Sequence, residues 1–282
     1  MPDIKSEEIR IDSGQGRLFA KRWDPVGRIT TAHSPLILLH DSLGSVELWR
    51  DFPERLARAT ARSVIAYDRL GFGKSDPHPG MLGIDFIRNE ANEGFRDLKA
   101  ALDIGRFAAF GHSVGGGMAV GIAAAYPDEC EALITVSAQA FVEDRTIAGI
   151  RAAKQAFAEP GQVDRLRRYH GDKAPWVLAA WIDRWLSPDF ADWTLDDALR
   201  QVRCPVLALH GGGGNARSNA VQTGFNAEAD RNGVIVVHPN GTGERRPLLN
   251  ALGRGHFYTW NAGSCCGYAV QQQVDDVGFI RV

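Results

Sequence analysis

Four cysteines in 282 residues are too few to frame a disulfide scaffold, and Cys130, Cys204, Cys265 and Cys266 lack the spacing of a metal site. The adjacent pair Cys265–Cys266 is poorly placed to share either one tetrahedral ion or one bridge. Neither sign of charge dominates: 32 Lys and Arg against 34 Asp and Glu leave a net charge of -2. That balance argues against a nucleic-acid partner, which needs a concentrated basic face. No apolar run is long enough to span a bilayer. The opening stretch MPDIKSEEIR has no apolar segment either, so neither a secretory signal nor a membrane anchor is expected, and the reducing cytoplasm is the expected compartment. No motif calls for a cofactor or a metal. The four-glycine run 211–214 is not followed by the G-K-[ST] that a phosphate-binding loop requires. With 44% hydrophobic and 23% charged residues, the chain has the composition of an ordinary globular protein long enough to bury a substantial core.

Short apolar runs alternate with amphipathic stretches, the pattern of an α/β fold with a mostly parallel sheet flanked by helices. Two antiparallel strands are expected around Ile9–Ile11 and Arg17–Trp23. The run Pro35–His40 is apolar throughout, as a strand buried on both faces requires. A helix follows over about Val46–Thr60, then a strand Ser63–Asp68 and the glycine-rich turn Gly71–Asp76. Helix is expected over Asp85–Leu102 and Ala119–Tyr126, and strand over Phe107–Gly111 and Ala132–Ser137. From about Glu143 to Trp193 the periodicity is helical, with Trp176, Trp181, Trp185 and Trp193 in it. Such an insertion after the sixth strand reads as a lid over a pocket at the carboxyl edge of the sheet. The division expected is therefore core 1–142, helical lid 143–194 and core again 195–282. In the last part, helix is expected over Leu195–Gln201 and strand over Pro205–His210.

Gly111-His-Ser-Val-Gly115 fits G-x-S-x-G between an expected strand and an expected helix, the context in which the motif presents a nucleophilic serine, Ser113. Small neighbours let the strand and helix approach across a strained turn, and the helix dipole faces a developing oxyanion. Upstream, His40-Asp-Ser-Leu-Gly44 follows the third strand, so the N–H groups of Ser42 and Val114 are the expected oxyanion donors. His40 reads as support for its loop, and Asp68 as the residue that fixes the turn after the fourth strand.

Together with Tyr67-Asp-Arg-Leu-Gly-Phe-Gly-Lys-Ser-Asp76 and Cys204-Pro-Val-Leu-Ala-Leu-His-Gly211, these motifs resemble the α/β-hydrolase superfamily over residues of about 30 to 210. They lie near its small-molecule esterases, enol-lactonases and C–C bond hydrolases. The resemblance implies acyl chemistry, because the elbow carries serine where epoxide hydrolases and haloalkane dehalogenases carry aspartate. It also implies an acid four residues after His210, where this chain has Gly214. The tail resembles a different branch, the polyhydroxybutyrate-depolymerase and feruloyl-esterase-like hydrolases. The segments that carry this are His210–Gly214, Val234–Gly241, Trp260–Gly267 and Val274–Phe279. In that branch they lie upstream of the elbow. A junction of two hydrolases near position 210 accounts for both, with strand, helix (about Ser218–Arg231) and strand (Val234–Val237) replacing the usual seventh strand, helix and eighth strand. The idea requires residues 211–282 to join the main sheet.

Serine needs a base because a free hydroxyl is a poor nucleophile at neutral pH. His256, expected in a loop beyond the eighth strand and before a last helical stretch over about Tyr268–Asp276, is the first candidate; His238, at the end of that strand, is the second. For the acid, Glu143 and Asp144 follow the sixth strand, although capping the first lid helix is the stronger reading of both. Asp275 and Asp276 read as surface or capping residues. The expected activity is hydrolysis of small carboxylic esters through an acyl-Ser113 intermediate, with a small-molecule ester as partner and neither nucleic acid nor membrane. The alternatives are lactone or C–C hydrolysis by the same machinery, and an impaired hydrolase fold that binds apolar acids.

Overall fold

The structure, a computed structural model, describes residues 2–27, 33–245, 256–260, 267–274 and 276; the side chains of residues 244, 245, 256, 257 and 267 lie outside that description. Strands β1 (Ile4–Ser13) and β2 (Gly16–Pro25) form an antiparallel hairpin. The strands β3 (Leu36–Leu39), β4 (Val64–Asp68), β5 (Phe107–His112), β6 (Cys130–Val136), β7 (Val206–Leu209) and β8 (Val236–Val237) complete one sheet, in the order β1-β2-β4-β3-β5-β6-β7-β8. All pairings from β4 to β8 are parallel. Every residue of β3 and β4 is buried, as the unbroken apolar run of β3 and that of β4 up to Tyr67 require; Asp68 ends β4.

Local chemistry moves several helix boundaries. The stretch expected as one helix over 46–60 is a 3-10 turn (Glu47–Trp49), a left-handed Arg50 with φ 52, and α1 (Phe52–Thr60). Residues 85–102 likewise divide into α2 (Phe86–Asn89), a 3-10 turn and α3 (Gly94–Ala101). Helix α4 (Val114–Ala125) begins five residues before the expected Ala119, immediately after Ser113. Glycine lowers intrinsic helix propensity, but tertiary packing overrides it. A Cβ on Gly115 would stand 2.3 Å from the Leu39 carbonyl oxygen, so only glycine lets α4 lie this close to the end of β3. All but the last residue of α4 are buried, which fits its apolar character on every side.

Between β6 and β7 the chain forms α5 (Asp144–Phe157), α6 (Gln162–His170), α7 (Ala174–Trp185), a 3-10 turn at Pro188–Phe190 and α8 (Asp196–Leu199). The two ends of this helical insertion meet at an isolated bridge between Phe141 and Thr194, and the Leu195 N–H donates to the Ala140 carbonyl at 2.7 Å. Trp185 is buried against Phe190 and Trp193, so these aromatics pack the insertion onto the core. Among the described residues no helix is long and apolar enough to cross a membrane.

Beyond β7, the single helix expected over 218–231 is two, α9 (Ala216–Thr223) and α10 (Phe225–Asn232), divided at Gly224 with φ 68. Strand β8 then pairs with β7, so of residues 211–282 the part up to Val237 joins the main sheet. The chain leaves that sheet afterwards. Strands β9 (Thr242–Arg245) and β10 (His256–Thr259) form a separate antiparallel pair, followed by α11 (Gly267–Gln271). His256 therefore begins a strand, not a loop, in keeping with the β-favouring Phe257-Tyr258-Thr259 that follows it. Asp276, read as a surface or capping residue, is buried; Asp275 lies outside the described residues.

Candidate active site

Strands β3 and β5 are neighbours, with Leu39 opposite Gly111, so the segments that leave their carboxyl ends emerge side by side. From β5 the chain turns through Ser113 at φ 55, ψ −124, a left-handed conformation that costs a non-glycine residue about 1–3 kcal/mol. The Ser113 N–H donates to Val136 at 2.8 Å and the Ser113 carbonyl accepts from Gly116 N–H at 2.8 Å, so both sides of the turn are pinned. The side chain is partly exposed. Val114 is the first residue of α4, and its amide is one of the helix-start donors that have no partner within the helix.

The loop after β3 is held by its own groups. Asp41 accepts from Leu43 N–H through Oδ1 at 2.9 Å and approaches His112 Nδ1 through Oδ2 at 3.2 Å. His112 occupies the variable position before Ser113, so this pair links the loop to the elbow; no motif marks it, because both residues lie at degenerate positions. Burial would raise the Asp41 carboxyl, but the hydrogen bond and charge of His112 outweigh it and hold Asp41 below the ordinary carboxylate range. His40 is buried, donates from Nδ1 to the Asp41 carbonyl at 2.8 Å and accepts Arg69 N–H at Nε2 at 3.3 Å. Both ring nitrogens are engaged, and burial followed by the charge of Arg69 keeps the ring neutral, so His40 supports the loop as its sequence suggests. Asp68 fixes the neighbouring turn, accepting from Val46 N–H at 2.6 Å and Lys74 N–H at 2.7 Å.

The helical insertion grips this region through Trp176 and through two side chains that no sequence motif marks, His170 and Lys173. His170, at the end of α6, accepts Gly73 N–H at Nδ1 (2.9 Å) and donates from Nε2 to the Leu43 carbonyl (3.0 Å). Lys173 Nζ donates to the Gly73 carbonyl at 2.9 Å, and Trp176 Nε1 donates to Gly80 at 2.8 Å.

Among the described residues, His238 and Glu143 hydrogen-bond partners other than Ser113. His238 sits between Asn226 Oδ1 at 3.0 Å and Asn219 Nδ2 at 3.3 Å, and burial lowers its pKa. The side chain of His256 lies outside the described residues. Glu143 precedes α5 and takes the Thr146 hydroxyl at 3.3 Å and Arg145 at 3.4 Å; Asp144 is the exposed first residue of that helix. Gly214, at the position expected for the acid, closes a tight turn by donating to the Gly211 carbonyl at 2.9 Å. Among the described residues no side chain hydrogen-bonds the Ser113 hydroxyl. A cavity of about 260 Å³ lies behind the loop, lined by Phe19, Trp23, Ser45, Val46 and Lys74, and Ser113 does not reach it.

Comparison with known proteins agrees with this architecture. Mouse 1-acylglycerol-3-phosphate O-acyltransferase ABHD5 is 30% identical over 139 residues, 49% of this chain and 38% of that protein. An uncharacterized protein of Mycobacterium tuberculosis is 34% identical over 120 residues, 43% of this chain and 33% of its own length. The chain thus aligns with less than two-fifths of either relative. Among solved structures, proline iminopeptidase from Mycobacterium smegmatis superposes with a TM-score of 0.58 at 20% identity, over 82% of this chain and 88% of that one. An esterase from Thermogutta terrifontis superposes with a TM-score of 0.56 at 20% identity, over 82% and 89%. At that identity the likeness is one of fold. Residues 34–202, more than half of the sequence and the part that holds both the loop after β3 and the Ser113 turn, match the alpha/beta hydrolase fold family, and the chain belongs to it.

Proposed function

We propose that this protein is a serine hydrolase that cleaves small carboxylic esters through an acyl-Ser113 intermediate. The observation that carries the reading is the strained Ser113 turn at the junction of β5 and α4, beside the loop after β3; the Ser42 and Val114 amides are assigned as the oxyanion donors. In this mechanism the Ser113 hydroxyl adds to the ester carbonyl and loses its proton to the base. The carbonyl electron pair becomes an oxyanion facing the Ser42 and Val114 N–H groups. Collapse expels the alcohol, which takes the proton back from the base; water, losing a proton to the same base, then releases the acid, and the base returns that proton to Ser113. His256 is assigned as the base, with His238 as the second candidate. The insertion 143–194 acts as the lid, and the cytoplasm is the working compartment. Residues after 210 are assigned to a second, polyhydroxybutyrate-depolymerase-like hydrolase joined at His210.

The test combines p-nitrophenyl acetate and butyrate turnover with labelling by a serine-directed fluorophosphonate. Ser113→Ala is expected to abolish labelling and lower turnover at least about a thousandfold, while His256→Ala lowers turnover with Ser113 still present. Folded wild-type protein that takes no label at Ser113 would sink the esterase reading. Gly214 at the acid position and the Asn-bound His238 favour a second reading, a hydrolase fold with impaired chemistry that binds apolar acids. That reading predicts ligand binding unchanged by Ser113→Ala and no turnover of aryl esters, lactones or diketones. The acyltransferase relative adds one assay, with a lysophosphatidate in place of water as acyl acceptor.

A further inference from the structure

One local framework occurs twice in this chain. After β3, His40 bridges the Asp41 carbonyl (2.8 Å) and the Arg69 amide (3.3 Å); Gly44 N–H closes onto Asp41 (3.2 Å), and Asp68 holds the Val46 amide (2.6 Å). After β7, His210 bridges the Gly211 carbonyl (2.8 Å) and the Gly241 amide (3.0 Å); Gly214 N–H closes onto Gly211 (2.9 Å), and Asn240 holds the Ala216 amide (2.7 Å). In each copy the strand is followed by His, by a glycine four residues later and by helix, and the next parallel strand returns the amide to the imidazole. The two copies act as controls for one another. What they share is what the turn needs in order to form.

Beside the Asp41 carboxylate and the His170 contact to Leu43, Arg69 is a cation that the first copy has and the second lacks. Its counterpart is Gly241, which has no side chain, and the second turn closes without one. Arg69 is buried, lies 4.0 Å from the centroid of Phe72, and donates from Nη2 to the Asp41 carbonyl at 3.1 Å. That oxygen therefore receives His40, Arg69 and Gly44 together. In a trans peptide the N–H lies opposite the C=O, so fixing the Asp41 carbonyl aims the Ser42 N–H in the opposite direction. A cation donating to that carbonyl also polarises the amide and strengthens its N–H as a donor.

We propose that Arg69 is a positioning residue for ester hydrolysis: through the Asp41 carbonyl it aims and polarises the Ser42 amide against the oxyanion. This rests on the acyl-Ser113 reading and deepens it. The role is electrostatic and appears when charge develops on the substrate oxygen, so it acts on kcat and leaves ground-state binding alone.

The experiment compares wild type, Arg69→Gln and Arg69→Lys, each checked for folding by circular dichroism, in three readings. These are kcat and KM on p-nitrophenyl butyrate, affinity for an alkyl trifluoromethyl ketone, and affinity for the matching methyl ketone. The trifluoromethyl ketone takes the Ser113 hydroxyl as a hemiketal, with the serine proton lost to base and the former carbonyl pair held as an oxyanion; the methyl ketone is bound only as a ketone. For Arg69→Gln, kcat is expected to fall about ten- to a hundredfold and trifluoromethyl ketone affinity in parallel, with KM and methyl ketone affinity within about threefold of wild type. Arg69→Lys keeps the charge and is expected to recover part of kcat. A folded Arg69→Gln with wild-type kcat, or with both ketones weakened equally, overturns the proposal while the esterase reading stands. So does failure of both variants to fold, which would make Arg69 a structural requirement. A folded wild type whose Ser113 takes no phosphonate overturns the esterase reading and this proposal with it.

Discussion

Ser113 adopts φ 55, ψ −124, a conformation that glycine accepts without steric cost and other residues do not. Replacing Ser113 by glycine is therefore expected to stabilise the fold by about 1 kcal/mol relative to alanine at the same position, while both abolish acyl transfer. Urea unfolding of the two variants measures the difference, and equal midpoints would show that the turn carries no strain. The serine, its glycines and the loop after β3 were legible in the sequence because each depends on residue type at a fixed spacing. His112 was not, nor was Arg69. Their importance comes from partners at Asp41, 71 and 28 positions away in sequence, and nothing local marks such a pairing.

At the scale of elements, the alternation of strands and helices was legible because burial on both faces writes continuous apolar runs such as Leu36–Leu39. The start of α4 was not, since Gly115, Gly116 and Gly117 argue locally against a helix that close packing demands. The helical insertion was visible from its periodicity, but its anchorage was hidden. That anchorage is sensitive to pH at His170, whose Nδ1 must be unprotonated to accept Gly73 N–H. Burial lowers its pKa, so the unfolded chain takes up a proton at higher pH than the folded one. The stabilisation is therefore fully present above about pH 6.5 and lost as the pH falls, by up to about 1.4 kcal/mol per unit. Urea unfolding at pH 7.5, 6.5 and 5.5 is expected to show stability declining with acid and a shallower decline in His170→Gln. His40, His210 and His238, whose pKa values burial also lowers, account for the slope that remains. An unchanged slope would remove His170 from the account.

Across the whole molecule, the two copies of the histidine framework lie on either side of β5 and β6, and only the first adjoins the Ser113 elbow. His210→Ala is expected to destabilise the chain by about 2 kcal/mol, as loss of a buried hydrogen-bonding ring does, with the rate of phosphonate labelling at Ser113 unchanged. His40→Ala is expected to lower stability and labelling together. Thermal unfolding run beside a labelling time course separates the two, and slowed labelling in a folded His210→Ala would mean that the second framework reaches the elbow. Gly214 stands out in the sequence as a departure from the position the resemblance gives to an acid. Its structural meaning was not legible, because the resemblance of His210–Gly214 to His40–Gly44 lies in hydrogen bonds and in only two shared residues.

The contacts common to both copies use one imidazole, one side-chain oxygen and main-chain atoms. None depends on a substrate, and in the second copy they close an outer edge of the sheet through a two-residue strand. Such a unit is a transplantable part. A gene that exchanged its ending for another's could keep a well-formed sheet from the first generation, and selection for stability alone would retain the graft whether or not it brought a working base and acid.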